Sequence, residues 1–204
     1  MKPDYKKYQK RYLDLKRKSI MNRFRIIHTT KDFATLEQIL LDNKIKQGNQ
    51  VKHEPGSLSL RNEFIYGQMY FPELENVKPF TKYNIYLDSQ ILDEYHAEVH
   101  IGWSRNLLTT FSPNDTNNKR KRTIEKIVTF LENPVQLPSQ IRDFNVMIHE
   151  IVFFEPLLIK KYLKAVGCHQ CLDSEIKELQ TLIRDKYPET ELLIGDYLPF
   201  KHKL

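Results

Sequence analysis

The sequence predicts an α+β domain, a mixed β-sheet with flanking helices, preceded by a basic N-terminal helix. Three observations carry this. Apolar segments of period two (residues 24–28, 64–71, 83–87 and 145–154) are interspersed irregularly with segments of helical period, not in a regular strand–helix series. The chain has 204 residues, 40% hydrophobic and 11% aromatic, enough for one domain with a real core. Charge is uneven: residues 1–25 hold ten Lys/Arg against Asp4 and Asp14, a net +8, whereas the whole chain carries +6, which leaves the remainder at −2. The division expected is a basic helical arm over residues 1–22 and a single α+β domain over 23–200.

Composition also excludes. Six glycines are few for an architecture built on glycine-rich phosphate loops. No apolar run approaches the roughly 18 residues that span a bilayer. No signal-peptide core follows the basic start, so the expected location is not secreted, and is the cytosolic side. Cys168 and Cys171, three apart, do not make a secreted disulfide framework and are expected reduced.

In the arm, Tyr5, Tyr8, Tyr12 and Leu15 form one helical stripe among lysines and arginines. It reads either as a grip on a polyanion, through counterion release, or as a solvated helix docked by its tyrosines. The phrase Tyr8–Lys16 resembles an opening common in proteins of giant DNA viruses, which implies a host cytoplasm or virion location. Phe24–His28 is the first strand. Asp32 suits the cap of a helix from Phe33 to Asp42, with Phe33, Leu36 and Leu40 on one side and Asn43 or Gly48 as stop. Residues 47–62 read as a loop. Phe64–Phe71, ended by Pro72, and Tyr83–Leu87 are strands, Ser89–Tyr95 a helical turn, and Val99–Trp103 a short strand or loop. Residues 112–122 read as a mobile loop, whose Lys119–Arg122 run is a nucleic-acid or import patch or a solvated helix start. Ile124, Ile127, Val128 and Leu131 continue as an amphipathic helix. Pro156 opens a helix through Val166 that Gly167 closes. Asp173 caps the last helix, which Pro188 stops, and Glu191–Gly195 is the final strand.

The most informative stretch is Asn145–Phe154. One face carries Val146, Ile148, Glu150, Val152 and Phe154; the other carries Asn145, Met147, His149, Ile151 and Phe153. Apolar residues on both faces describe a central strand. A carboxylate there costs several kcal/mol, roughly, unless it finds a partner or opens into a cleft. Glu150 is therefore either a candidate functional carboxylate or a strand-end residue paired with a surface lysine.

Two constellations compete for the chemistry. His96-Ala-Glu98 with Cys168-His-Gln-Cys171 resembles the signature of zinc-dependent cytidine deaminases, which implies His96, Cys168 and Cys171 as ligands and Glu98 as proton shuttle. The same residues with His100 or His169 would make a structural zinc site. Against this, His96-Ala-Glu98 runs into poor helix material and Gly167 stands where that family has proline.

His28, Tyr66 and Glu150 form the second. Phe24–Thr30 followed by Leu36–Ile45, then Phe64–Phe71, His149–Phe153 with Leu157–Leu163, and Ile176–Ile194 resemble, in order, the H-Y-E branch of the ADP-ribosyltransferase superfamily. The resemblance implies an ADP-ribosyltransferase-like split mixed β-sheet and NAD as substrate. Glu150 would stabilise the positive ribose as nicotinamide leaves and orient the nucleophile. His28 would hydrogen-bond the adenosine ribose and Tyr66 stack on nicotinamide, with Tyr70 an alternative stacker and Thr30 and Ser57 nearby. No serine–threonine–serine motif is present, which sets aside the arginine-modifying branch. It also implies that the strands of His28 and Glu150 lie side by side, with Tyr66 at the resulting cleft.

The functions expected are therefore an NAD-dependent ADP-ribosyltransferase-like protein with a protein or nucleic-acid acceptor, or a non-catalytic viral interaction or virion protein binding polyanions through residues 1–25. A zinc deaminase is the third reading.

Overall fold

The computed structural model describes residues 24–30, 32–47, 64–71, 81–101, 106–132 and 149–195. The basic arm, Ser57 and residues 145–148 lie outside these. Ten strands and three α-helices follow one another among the described residues. The strands are β1 (Arg25–Thr30), β2 (Lys44–Ile45), β3 (Ile65–Tyr70), β4 (Tyr83–Asp88), β5 (Ala97–Ile101), β6 (Asn106–Phe111), β7 (His149–Phe153), β8 (Leu157–Leu158), β9 (Leu163–Cys168) and β10 (Glu191–Ile194). The helices are α1 (Phe33–Asp42), α2 (Asn117–Glu132) and α3 (Asp173–Lys186), and a 3-10 turn spans Ser89–Asp93.

Eight strands form one mixed sheet in the order β10-β9-β4-β1-β3-β7-β5-β6, and β2 pairs with β8 apart from it. Only β9 and β10 run parallel, joined by α3 as crossover; the other pairs are antiparallel. Ile26, Met69, Leu87, Val99 and Ile151 pack in one large apolar core with Leu36 and Leu40 of α1, Ile127 and Val128 of α2, and Leu179 and Ile183 of α3. A smaller cluster of Ile27, Tyr70, Tyr86 and Ala165, with Leu193 against it, takes the alternate residues of the same strands.

Local chemistry explains the helix ends. The Asp32 carboxylate accepts the Thr35 amide at 2.7 Å, and Asn43 closes α1 in the left-handed region at φ 54°. At α3 the cap is Leu172, with Asp173 already inside the helix. Glu175 reaches back to accept the Leu172 amide at 2.8 Å. Its two oxygens also take Lys82 and Tyr83, each at 2.7 Å, tying α3 to the start of β4. These three bonds, Lys82 first, hold the Glu175 carboxyl down at about 2.

Several expectations are corrected. Leu157–Val166 is not a helix but β8, a turn and β9. The Ile159 carbonyl accepts both the Tyr162 and Leu163 amides at 2.8 Å, and Asp88 N–H donates to Tyr162 O. From Leu163 to Cys168 only Lys164 is exposed, because β9 fills the slot between β4 and β10. A short apolar run of this kind has no period to tell strand from helix. Gly167 is a packing site within β9: a Cβ there would stand 3.0 Å from the Tyr86 ring. Residues 117–122 belong to α2 rather than to a loop, with Thr116 Oγ1 accepting the Lys119 amide at 3.2 Å. Strand β6 was not anticipated.

Candidate functional site

The geometry of the site follows from where the ladders stop. β1 pairs with β4 along its whole length, Arg25 to Thr30, but with β3 only from Arg25 to Ile27. Beyond Ile27 the β1–β3 pairing stops, and alternation puts His28, opposite Ile85 of β4, on the face of Ile26 and Met69, the other face from Gln68 and Glu150. Its Nδ1 lies 2.8 Å from the Tyr66 carbonyl of β3. A carbonyl only accepts, so Nδ1 carries the hydrogen and Nε2 keeps its lone pair. Burial holds the His28 pKa below the ordinary histidine value, and the bond to Tyr66 opposes that shift. A neutral imidazole at the seam, with Nε2 an acceptor, suits a ligand hydroxyl.

β7 is central, between β3 and β5. The expectation that the strands of His28 and Glu150 adjoin is wrong: β3, which carries Tyr66, lies between them. The register sets Glu150 opposite Gln68 on one side and His100 on the other. In the next row Val152 stands between Tyr66 and Glu98. At the end, Phe154 lies 5.2 Å from the Phe64 ring and 5.4 Å from the His96 ring. Alternation thus gathers nine side chains of three strands on one face: Gln68, Glu150 and His100; Tyr66, Val152 and Glu98; Phe64, Phe154 and His96. One end of this array is polar and the other aromatic. Glu150 is half-buried and flanked by strands on both sides, so it is not a sheet-edge residue. Gln68 Oε1 is buried without a hydrogen-bond partner among the described residues. Such an orphaned acceptor beside a carboxylate is a place for a ligand's donor.

The remaining sequence candidates separate. Tyr66 is half-buried, edge-on to Phe64 at 6.4 Å. Tyr70 is 0% exposed, enclosed in the smaller cluster, so of the two tyrosines only Tyr66 keeps exposed surface. Thr30 is 4% exposed and its hydroxyl donates to the Asp32 carbonyl at 3.4 Å.

The zinc constellation is overturned. His96 and Glu98 belong to the β5 side of the sheet and Cys168 to β9, with β4, β1, β3 and β7 between. Five interstrand steps separate them by about 24 Å, against zinc–ligand bonds of about 2.0–2.3 Å. Among the described residues no group of three or more His, Cys, Asp or Glu is placed to hold a metal. Cys168 and Cys171 are joined as a disulfide rather than held as two thiols. Gln170, at φ 51°, turns the chain so that their Cα atoms stand 5.8 Å apart, within the bridging range. His100, Glu98 and Gln68 as neighbours of Glu150 were missed. The available signal was parity: His96, Glu98 and His100 alternate along one strand face, as Tyr66 and Gln68 do.

A groove of about 450 Å³ between α1 and α3, lined by Glu37, Lys177, Glu178 and Asp185 among others, lies away from this array. Burial first, then Glu178 beside it, raises the Glu37 carboxyl. It is an open furrow between two exposed helix faces rather than an enclosed pocket, which sets it aside as the site.

Residues 21–134 match the family described as "Family of unknown function (DUF5846)". The chain belongs to that family. Along its length this DUF5846 member is 27% identical over 220 residues to "Uncharacterized protein R11" of Acanthamoeba polyphaga mimivirus, covering 96% of the chain and 80% of R11. In fold it is similar to Thermus sp. 2.9 DarT. The complex of DarT with NAD+ matches at a TM-score of 0.51, covering 84% of this chain and 95% of DarT at 12% identity. The complex with ADP-ribosylated ssDNA matches at 0.50, covering 84% and 94%, again at 12% identity. The large mixed sheet with flanking helices is thus a DarT-like fold.

Proposed function

We propose that this DUF5846 member is an NAD-dependent ADP-ribosyltransferase whose acceptor is a nucleic acid. The observation that carries the reading is Glu150. In a DarT-like fold it is a half-buried carboxylate on a central strand, set between Gln68 and His100 on the face that also holds Tyr66. When the bond from nicotinamide to ribose breaks, the electron pair leaves with nicotinamide and positive charge grows on the ribose. A fixed carboxylate beside that carbon stabilises the charge. Neutral His28 offers Nε2 to a ribose hydroxyl, and Tyr66 offers a ring face to nicotinamide. Thr30 contributes by holding the turn after β1 through Asp32. The acceptor's nucleophile then bonds to the ribose carbon and loses its proton.

The charge of the first 25 residues, +8 on an otherwise nearly neutral chain, favours nucleic acid over protein as acceptor. In this reading residues 1–22 are a basic arm that holds the polyanion and residues 23–200 the transferase domain. The test is incubation of the purified chain with NAD+ and single-stranded oligonucleotides. Mass spectrometry should find oligonucleotides carrying one ADP-ribose, and Glu150→Gln should lower the rate at least a hundred-fold with NAD+ affinity kept. Equal modification by the variant removes Glu150 from the chemistry. Salt-dependent DNA binding that disappears on deletion of residues 1–20, with no modification by the intact chain, would instead establish a binding protein.

A further inference from the structure

We infer that Glu98 and His100 form a proton-accepting pair for the incoming nucleophile, at the acceptor side of Glu150; this rests on the transferase reading above. The two residues alternate on one face of β5, and His100 Nε2 lies 3.0 Å from Glu98 Oε2. A carboxylate only accepts, so this bond places a hydrogen on Nε2, and in the neutral imidazole Nδ1 then keeps its lone pair. His100 is 8% exposed, and no partner for Nδ1 is found among the described residues. Across the strands His100 faces Glu150 on β7 and Leu107 on β6. Opposed residues of antiparallel strands have Cβ atoms about 4.5–5.5 Å apart. The ladder between β5 and β6 shifts register between Val99 and His100, an irregularity of the kind that re-aims a side chain.

Here one ring nitrogen is bonded to a carboxylate, and the residue stands across the ladder from Glu150 on β7. That is the arrangement by which a carboxylate orients an imidazole as a base. The step balances. The acceptor N–H or O–H gives its proton to Nδ1 while its electron pair bonds to the ribose carbon, and nicotinamide departs with the pair of the broken bond. Glu98 neutralises the imidazolium and, with its side chain 31% exposed, passes the proton to water. Glu98 is a positioning residue; His100 is the group that meets the acceptor. The two carboxylates divide the work: Glu150 addresses the ribose, Glu98 the imidazole.

The test uses the full chain with three readouts. Binding of carba-NAD+, a non-reacting analogue, is measured by calorimetry. Oligonucleotide modification is followed as kcat and KM, and nitrogen-15 spectra of labelled histidine report the His100 tautomer. The wild type should show the Nε2 hydrogen bonded to Glu98, a signature that Glu98→Leu, which removes the acceptor, abolishes. His100→Gln should lower kcat for transfer at least ten-fold with carba-NAD+ affinity within two-fold, and Glu98→Gln should lower kcat without changing the KM for NAD+. Wild-type transfer with an undiminished His100→Gln rate overturns the pair while leaving the transferase intact. A wild type that neither binds carba-NAD+ nor modifies DNA overturns both. Should His100→Gln fail to fold, Glu98→Leu, at a partly exposed position, decides: unchanged kcat together with an unchanged tautomer refutes the inference.

Discussion

Replacing His28 with phenylalanine keeps a planar ring at the seam and removes both the hydrogen that Nδ1 donates to Tyr66 O and the Nε2 lone pair. That carbonyl lies past the end of the β1–β3 ladder, so no β1 amide takes over. Losing this part-buried hydrogen bond costs about 0.5–1.5 kcal/mol, a measurable share of the ~5–15 kcal/mol that holds a domain folded. The variant should therefore unfold at lower urea concentration with an unchanged slope, monitored by circular dichroism at pH 7.5. His28→Gln, which keeps an amide donor, should recover part of the loss. The pH dependence carries the sign. The His28 pKa is depressed in the folded chain, so the unfolded chain binds the proton first as pH falls. Stability from neutral His28 is complete above about 6.5 and is lost as pH falls toward the folded value, by at most about 1.4 kcal/mol per pH unit. The chain has seven histidines, so the quantity to follow is the wild-type minus His28→Phe difference. It should be largest at pH 7.5 and shrink by pH 5.5. A difference that grows on acidification would mean that His28 is charged in the fold, and the argument for Nε2 as an acceptor would be refuted.

Two further substitutions test the frame around the site. Gly67 lies in β3 where an added Cβ would stand 3.1 and 3.2 Å from methyls of Ile26 and Ile151 and 3.2 Å from the Ile27 carbonyl. Gly67→Val should destabilise the chain by about 1–3 kcal/mol through overpacking, read as a lowered urea midpoint, whereas an unchanged midpoint would show that β1 and β7 are not held so closely to β3. Glu175, with its carboxyl held at about 2, gives stability that is complete above about 4.5 and lost as pH falls toward 2. Acid titration of Glu175→Gln should therefore show a flatter decline than the wild type between pH 4.5 and 2, and parallel curves would remove Glu175 as the tie between α3 and β4.

How much of this was legible depended on whether the cause was local. The α1 limits were readable because Asp32 and Asn43 act within one turn of chain. The strands around Tyr66 and Glu150 were readable because side-chain parity survives any pairing. What failed was decided at a distance. Leu163–Cys168 became a strand because β4 and β10 offered it a slot, and its own pattern, buried nearly throughout, does not name either state. The anticipated H-Y-E order implied the wrong adjacency for the strands of His28 and Glu150. Strand order is a property of the whole sheet, and β3 takes the place between β1 and β7.

The same distinction explains why one misread signal still pointed at the site. His96 and Glu98 drew notice as metal ligands because histidine and glutamate alternate in a short apolar segment, and Cys168 and Cys171 were joined to them by sequence pattern alone. Sheet order separates the cysteines by five strand steps and delivers His96, Glu98 and His100 to the strand beside Glu150. On the opposite face of this sheet Ile26 faces Met69, Val99 faces Ile151, and Ile85 faces Val166. Gln68, Glu150 and His100 occupy one row together. Each polar group in such a position costs about 1–3 kcal/mol if left unsatisfied. A sheet stabilised by packing alone would fill that row with aliphatic side chains, as the opposite face does at Ile26, Met69, Val99 and Ile151. Gathering an acceptor, a carboxylate and an oriented imidazole into a single row, beside a half-buried tyrosine, instead builds a surface that a polar ligand completes. In this row it is the Gln68 acceptor, buried without a hydrogen-bond partner among the described residues, that carries such a cost, and a ligand's donor there would offset it.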